Sequence, residues 1–403
     1  MVRTDLSTEP EYALLLDVVA PLGAPRTDPG SWDAGRWGSL LNIADWHRLS
    51  PALHTHLRHA AGVPAPVLSA LERAYLANAA RSVFIREATA RVITALDGAD
   101  AWPLLLKGAA LVETVYPDPA EREMLDIDVL VRENRLEQAT AALAALGYTP
   151  RPAAAAANGA APATAPDAAP HHAAALVGPE NLVAVELHHH IAIAGEGRGF
   201  NVAGLWERAA NAPRTGHRVP SPEDLLIHVC FHFTRNRLGG DARRRNTGGA
   251  LAQILDIRRL VTGNEIDWGT LAATTRDYGL DTRVFLGLFA ARELGVPVPA
   301  QALAPIRPPG FDDALGRRLV TLRVLRAGDH LPVRSMRWMF APSREALRRG
   351  WNADPNATLS LARAYMRRAR AHVPEARSAL RRPWAYVQDR RLNGQIEGLG
   401  SRR

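Results

Sequence analysis

Disulfide bonding within the chain is excluded at the outset, because the 403 residues include one cysteine, Cys230. A reducing compartment is the economical expectation. Aromatic residues make up only 6% of the chain, while Ala, Leu and Arg abound, which favours a largely helical protein. No uninterrupted apolar run approaches the roughly 20 residues needed to cross a bilayer, so no membrane span is expected. The opening residues, MVRTDLSTEPEYALLLDVV, lack the basic start and apolar core of a signal peptide, and a soluble, cytoplasmic protein is expected. Zinc-finger spacing, an RNA-binding aromatic signature and a G-x-x-x-x-G-K-[ST] phosphate loop are all missing. The formal charge of +8 comes mainly from late arginine runs such as Arg243-Arg244-Arg245 and Arg367-Arg368. Without a recognition motif beside them they read as solvated helix faces, and nucleic acid is not an expected partner.

What the chain does have is the stretch LLLKGAALVETVYPDPAEREMLDIDVLV, from Leu104 to Val131. It reads as a strand, a turn at Lys107-Gly108, a helix ended by Pro117 and Pro119, and a second strand carrying Asp126 and Asp128. Side chains two apart on a strand share a face. Two carboxylates side by side in an apolar strand repel each other and use residues that strands disfavour. A divalent cation removes both objections, and oxygen ligands of this kind suit Mg²⁺. Mg²⁺ beside a Lys-Gly turn points to chemistry on a nucleoside triphosphate. Taken alone, the pair also reads as strand-end aspartates capping a turn.

Length suggests two or three domains. Residues 1–100 read as a helical region, with APVLSALERAYLANAARSVFIREATARVITALDGA as its clearest helix, flanked by Pro64, Pro66 and Gly98. Residues 101–200 read as an α/β core. Its ENRLEQATAALAALGY helix is followed by an Ala/Pro-rich stretch at 151–178, expected to be a mobile insertion. A third strand, NLVAVELHHHIAI, carries Glu186 and, two residues on, His188. Residues 201–300 read as a helical domain, in which Ser221 and Pro222 form an N-cap and N1 proline. Residues 301–403 read as an Arg-rich helical C-terminal region.

Each polar residue in these segments has a chemical reading and a plainer one. Glu186 is a third carboxylate for the metal, or a general base toward an acceptor hydroxyl; the plainer reading is an acid on an edge strand. His188 shares its face and is positioned to touch phosphate, orient Glu186 or donate a proton. His189 and His190 are expected at the surface or in packing, since neighbouring strand residues face opposite ways. Lys107 and Gly108 combine a point charge with a backbone that phosphate can approach at a helix N-terminus. Arg122, just before the metal strand, either contacts the triphosphate or forms a surface salt bridge with Glu121 or Glu123. His228 and His232 are spaced i, i+4 without the glutamate of a zinc protease motif; packing or an inward hydrogen bond is the favoured reading, and acceptor binding beside the nucleotide site the alternative. Asp256 is expected to pair with a neighbouring arginine.

The ordered set LLLKG, DIDVLV followed by a helix and Gly-Tyr, and VELHHH resembles the uncharacterised bacterial nucleotidyltransferase family of the DNA polymerase β-like superfamily. The PEDLLIH segment, Leu255–Ile257, Asp267-Trp268 and the FAPSREALRR stretch resemble the family as well. The resemblance implies an α+β fold, with a small mixed-sheet core embedded in helical N- and C-terminal regions. It also implies a strand and turn that cradle a triphosphate, and three carboxylates that hold metal, here Asp126, Asp128 and Glu186. Arg122 matches an arginine often found before the metal strand. Lys107-Gly108 stands where the superfamily usually has Gly-Ser. The expected activity is Mg²⁺-dependent, two-ion transfer of a nucleoside monophosphate from an NTP to a hydroxyl or phosphate on an unidentified small molecule, peptide or protein, as in natural-product tailoring. Phosphate or sugar transfer on the same scaffold, and a non-catalytic nucleotide sensor or toxin–antitoxin partner, are the competing expectations.

Overall fold

The computed structural model of the protein describes residues 9–21, 25–150, 175–179, 183–191, 202–237 and 248–325. Contacts divide the chain into two units. The described residues all belong to the first, 1–238 with 247–327; the second, 239–246 with 328–403, lies outside them, as does most of the expected Arg-rich C-terminal region.

The first hundred residues contribute four helices: α1 (Pro10–Val19), α2 (Ala34–Trp46), α3 (Ser50–Leu57) and α4 (Ala65–Gly98). The last is the long periodic stretch, entered through Pro64 and Pro66, residues that fit the first turn because no N–H is needed there. Its buried stripe includes Leu71, Ile85, Val92 and Leu96. It packs against α3 and against the turn at Pro119–Glu121.

The chain then enters β1 (Leu104–Leu105), turns at Leu106 into α5 (Lys107–Thr114), and reaches β2 (Asp126–Leu130). The helix α6 (Leu136–Ala145) leads to three further strands, β3 (Thr149–Pro150), β4 (Leu176–Val177) and β5 (Ala184–His188). The five strands form one mixed sheet in the order β1-β2-β5-β4-β3. Only the β2–β5 pairing is parallel. A parallel pair needs a long crossover, and α6 with β3 and β4 lies within it. The fold is therefore α+β, a small mixed sheet among helices. Of the expected insertion at 151–178, residues 151–174 lie outside the described chain, whereas Leu176-Val177 form an ordered strand on β5.

Sheet register separates the faces. Ile127, Val129, Val185 and Leu187 are completely buried on one side. Asp126 and Asp128 of β2, with Glu186 and His188 of β5, take the other, because alternate residues on a strand share a face.

The region expected to be entirely helical departs from that pattern at Ala210–Val219, where β6 (Ala210–Asn211) and β7 (Arg218–Val219) form a two-stranded ribbon. Strands of two residues carry no readable periodicity. Helix α7 (Val202–Glu207) precedes the ribbon, and α8 (Pro222–Arg237), α9 (Ala250–Gly263), α10 (Trp268–Asp277) and α11 (Asp281–Glu293) follow it. Ser221 Oγ accepts the Asp224 amide at 3.2 Å, capping α8 as its sequence implies. Helices α10 and α11 are separated at Tyr278-Gly279, where Gly279 takes φ +66°. Helices α8, α9 and α11 pack together, burying Phe231, Phe233, Ile254 and Phe285.

Candidate active site

The parallel register sets Asp128 directly across from Glu186 and Leu130 across from His188. Opposite residues on neighbouring strands lie about 5 Å apart, so the acids are forced together by backbone pairing. One ligand atom from each of Asp128, Glu186 and His188 falls within 4.8 Å of the others. His188 Nε2 is 2.8 Å from Asp128 Oδ1 and 3.6 Å from Glu186 Oε2. Asp126 sits two residues earlier on the same strand face, half-buried and outside that tight cluster.

Lys107 is the only lysine in a chain that otherwise carries its positive charge on arginine. Its Nζ donates to Asp128 Oδ1 at 2.6 Å. The backbone delivers it there in two ways. Leu106 N–H donates to the Asp128 carbonyl at 3.0 Å, which clamps the turn to β2. Lys107 itself takes φ +44° at the start of α5, a region non-glycine residues seldom occupy. Such local strain recurs where a side chain must point one way for function. Sequence reasoning singled out Lys107 from its Lys-Gly turn; its being the sole lysine is a second signal in the same sequence.

The charges divide unequally. Burial alone would push the Asp128 carboxyl up, but the Lys107 ammonium and then His188 outweigh it and hold the group well below the usual carboxylate range. Asp126 moves the other way. Burial first, then the Asp128 charge, lift it to about 7. For Lys107, the attraction of Asp128 and Glu186 overcomes burial and raises its pKa, so it stays charged. Three acids thus face one cation. The surplus negative charge, with two carboxylates and an imidazole nitrogen within one coordination radius, fits a divalent metal ion.

A second charged group forms beside the turn. Arg122 donates from Nε and Nη2 to the two oxygens of Asp256 at 2.9 and 3.0 Å, a bidentate pair joining the loop before β2 to helix α9. Tyr116 donates its hydroxyl to the same carboxylate at 2.7 Å. The surface salt bridge expected as one alternative for Arg122 does not form: Glu121 pairs with Arg259 at 2.6 Å, and Arg122 is only 17% exposed. Asp256 is thereby given a partner, one 134 residues away in sequence. Gly108 lies directly beneath this guanidinium. A Cβ at that position would stand 2.5 Å from Arg122 Nη1. The glycine therefore lets the first turn of α5 pass under Arg122.

His228, buried on α8, and His232, one turn on and lining the cleft, lie near the same centre. Burial and then the Lys107 charge lower the His228 pKa to about 3. The same causes keep His232 neutral. Gln253 Nε2 and His232 Nδ1 lie 2.9 Å apart, the inward hydrogen bonding expected of a packed histidine. His189 and His190 are half-buried beyond the strand end.

Lys107, Gly108, Arg122, Asp126 and Asp128 line one cleft of about 200 Å³ together with His232, Arg48, Arg237, Gly248 and Gly249; Glu186 and His188 are not among its lining residues. A carboxylate cluster on a mixed sheet, beside a lysine at a helix N-terminus, is the equipment of a phosphoryl- or nucleotidyl-transferring protein.

Residues 33–295 match the family described as uncharacterised nucleotidyltransferase. That span is well over half the chain, and the protein belongs to this family. No curated protein and no solved structure matches it. No helix among the described residues is long and apolar enough to cross a membrane.

Proposed function

We propose that the protein is a cytoplasmic, Mg²⁺-dependent nucleotidyltransferase that moves a nucleoside monophosphate from an NTP to a hydroxyl or phosphate acceptor and releases pyrophosphate. The observation that carries this reading is the register that sets Asp128 against Glu186, with Lys107 bonded to Asp128.

In this reading Asp126, Asp128 and Glu186 are the acidic ligands for two ions, and His188 orients Asp128. Bound divalent cations supply Lewis-acid charge to the reacting phosphoryl oxygens. Asp128 remains an anion at every working pH because Lys107 and His188 hold it so. Glu186, with its side chain 26% exposed, either completes the ligand set or accepts the proton of the acceptor hydroxyl. The Lys107-Gly108 turn offers backbone amides at the start of α5 to the triphosphate. Arg122, oriented by Asp256, presents Nη1 over that turn. The helical regions on either side of the sheet form the walls against which an acceptor is positioned. Small-molecule, peptide and protein acceptors fit this chemistry equally.

The test is pyrophosphate release from each NTP with Mg²⁺, using cell extract as the acceptor source. Wild type is expected to release it and Asp128→Asn to lose at least roughly 100-fold, beyond the 10–100-fold typical of residues supporting metal ligands. Equal release by wild type and Asp128→Asn sinks the proposal.

A further inference from the structure

The wall of the cleft carries two arginines that the carboxylate chemistry does not use. Arg237, at the end of α8, is 9% exposed. Its Nε donates to Gln253 Oε1 at 3.1 Å and its Nη2 to the Gly248 carbonyl. Arg48 follows the end of α2. Neither forms an ion pair with a carboxylate among the described residues. Buried cations are ordinarily paired with an anion. The two also approach each other: measured from the Cβ direction of Gly249, Arg237 Nη2 and Arg48 Nε both lie 3.6 Å away. Burial and then the Arg48 charge lower the Arg237 pKa to about 10.

The backbone is arranged to keep them there. Arg48 takes φ +55°, at a helix end where glycine is the usual residue. Gly248 and Gly249 both have positive φ and lead directly into α9. Gly249 N–H donates to the Trp46 carbonyl at 2.8 Å, tying the start of α9 to the end of α2. The N-terminus of a 14-residue helix therefore opens beside the two guanidiniums on the wall of the cleft, where Glu123 is the carboxylate that feels the Arg48 charge.

We propose that Arg48, Arg237 and the Gly248-Gly249 turn form a second phosphate-binding subsite, distinct from the Lys107-Gly108 turn, which holds a phosphate group of one of the two substrates. Guanidinium forks match phosphate oxygens in charge and geometry, and the positive end of the α9 dipole adds to their attraction, while the Gly249 amide stays on the Trp46 carbonyl. The phosphate belongs either to the tail of the NTP or to the acceptor. That assignment of source rests on the nucleotidyl-transfer reading, whereas the anion site itself does not.

Calorimetric titration of inorganic triphosphate and of the four NTPs into the full chain, in buffer with EDTA and again with Mg²⁺, tests it. Wild type, Arg48→Gln and Arg237→Gln are compared, and thermal unfolding verifies that each variant is folded. Arg48 is half-buried, so its variant remains informative if the Arg237 variant fails to fold. Triphosphate is expected to bind wild type without metal, and each substitution to weaken it about tenfold, the effect of losing one charge-assisted hydrogen bond. A parallel loss for the preferred NTP supports the subsite and assigns it to the donor tail. A loss for triphosphate with NTP affinity unchanged supports the subsite and assigns it to an acceptor phosphate. No triphosphate binding by wild type, or equal binding by wild type and both variants, overturns it. Failure of the transfer reading is recognised separately, as intact triphosphate binding without Mg²⁺-dependent pyrophosphate release.

Discussion

The Arg122–Asp256 pair offers the most quantitative test of how the site is held. Asp256 is 2% exposed and accepts three hydrogen bonds, two from Arg122 and one from Tyr116. Removing the carboxylate in Asp256→Ala leaves a largely buried guanidinium without its anion. Breaking such a pair costs about 3–5 kcal/mol when both partners are buried, and the 17% exposure of Arg122 reduces this to about 2–4 kcal/mol. For a unit of this size that corresponds to a fall in Tm of roughly 5–10 °C. The companion Arg122→Met removes the cation instead and leaves Asp256 with the Tyr116 hydroxyl. Asp256→Ala/Arg122→Met removes both charges, and its loss is expected to be smaller than the sum of the single losses by at least about 1 kcal/mol. Urea unfolding of the four proteins at matched salt measures the cycle. An Asp256→Ala cost below about 0.5 kcal/mol, or strict additivity in the double variant, refutes the claim that this pair joins α9 to the loop before β2.

Three further outcomes follow from particular contacts. Gly108→Ala places a methyl 2.5 Å from Arg122 Nη1, and NTP affinity measured by titration is expected to fall roughly tenfold or more as the guanidinium shifts from the turn. Lys107→Arg keeps the charge but replaces a compact ammonium with a planar fork in a site fitted to a 2.6 Å contact, so pyrophosphate release is expected to fall at least roughly tenfold; full activity in the variant removes the role given to that ammonium. His47 accepts the Leu251 amide through Nδ1 at the start of α9, and its pKa is lowered to about 4, chiefly by burial. The unfolded chain therefore binds a proton that the folded chain refuses between pH 6.5 and about 4. Stability is retained above pH 6.5 and falls by about 3 kcal/mol as pH drops through that window, at about 1.4 kcal/mol per pH unit. His47→Gln is expected to flatten this part of the stability-versus-pH curve, and an unchanged slope contradicts the assignment.

The sequence by itself determined the composition of the chemistry. Alternation in DIDVLV and VELHHH places Asp126, Asp128, Glu186 and His188 on definite strand faces, because the twofold repeat of a strand leaves no other choice. Capping residues and apolar spacing were enough for α4 and α8, which carry local signals at their ends. Strands of two residues, such as β3, β4, β6 and β7, have no period to read, and they exist only because longer partners or a neighbouring turn pair with them. Tertiary structure alone decided which carboxylate meets which: the parallel register of β2 and β5 sets Asp128 against Glu186 across a crossover that could have been made in other registers. It also decided that Arg122 belongs to Asp256, and that Arg48 and Arg237 meet at Gly249. Local spacing specifies side-chain direction within one element, whereas contacts between elements follow from how buried faces pack, and no short window of sequence contains that information.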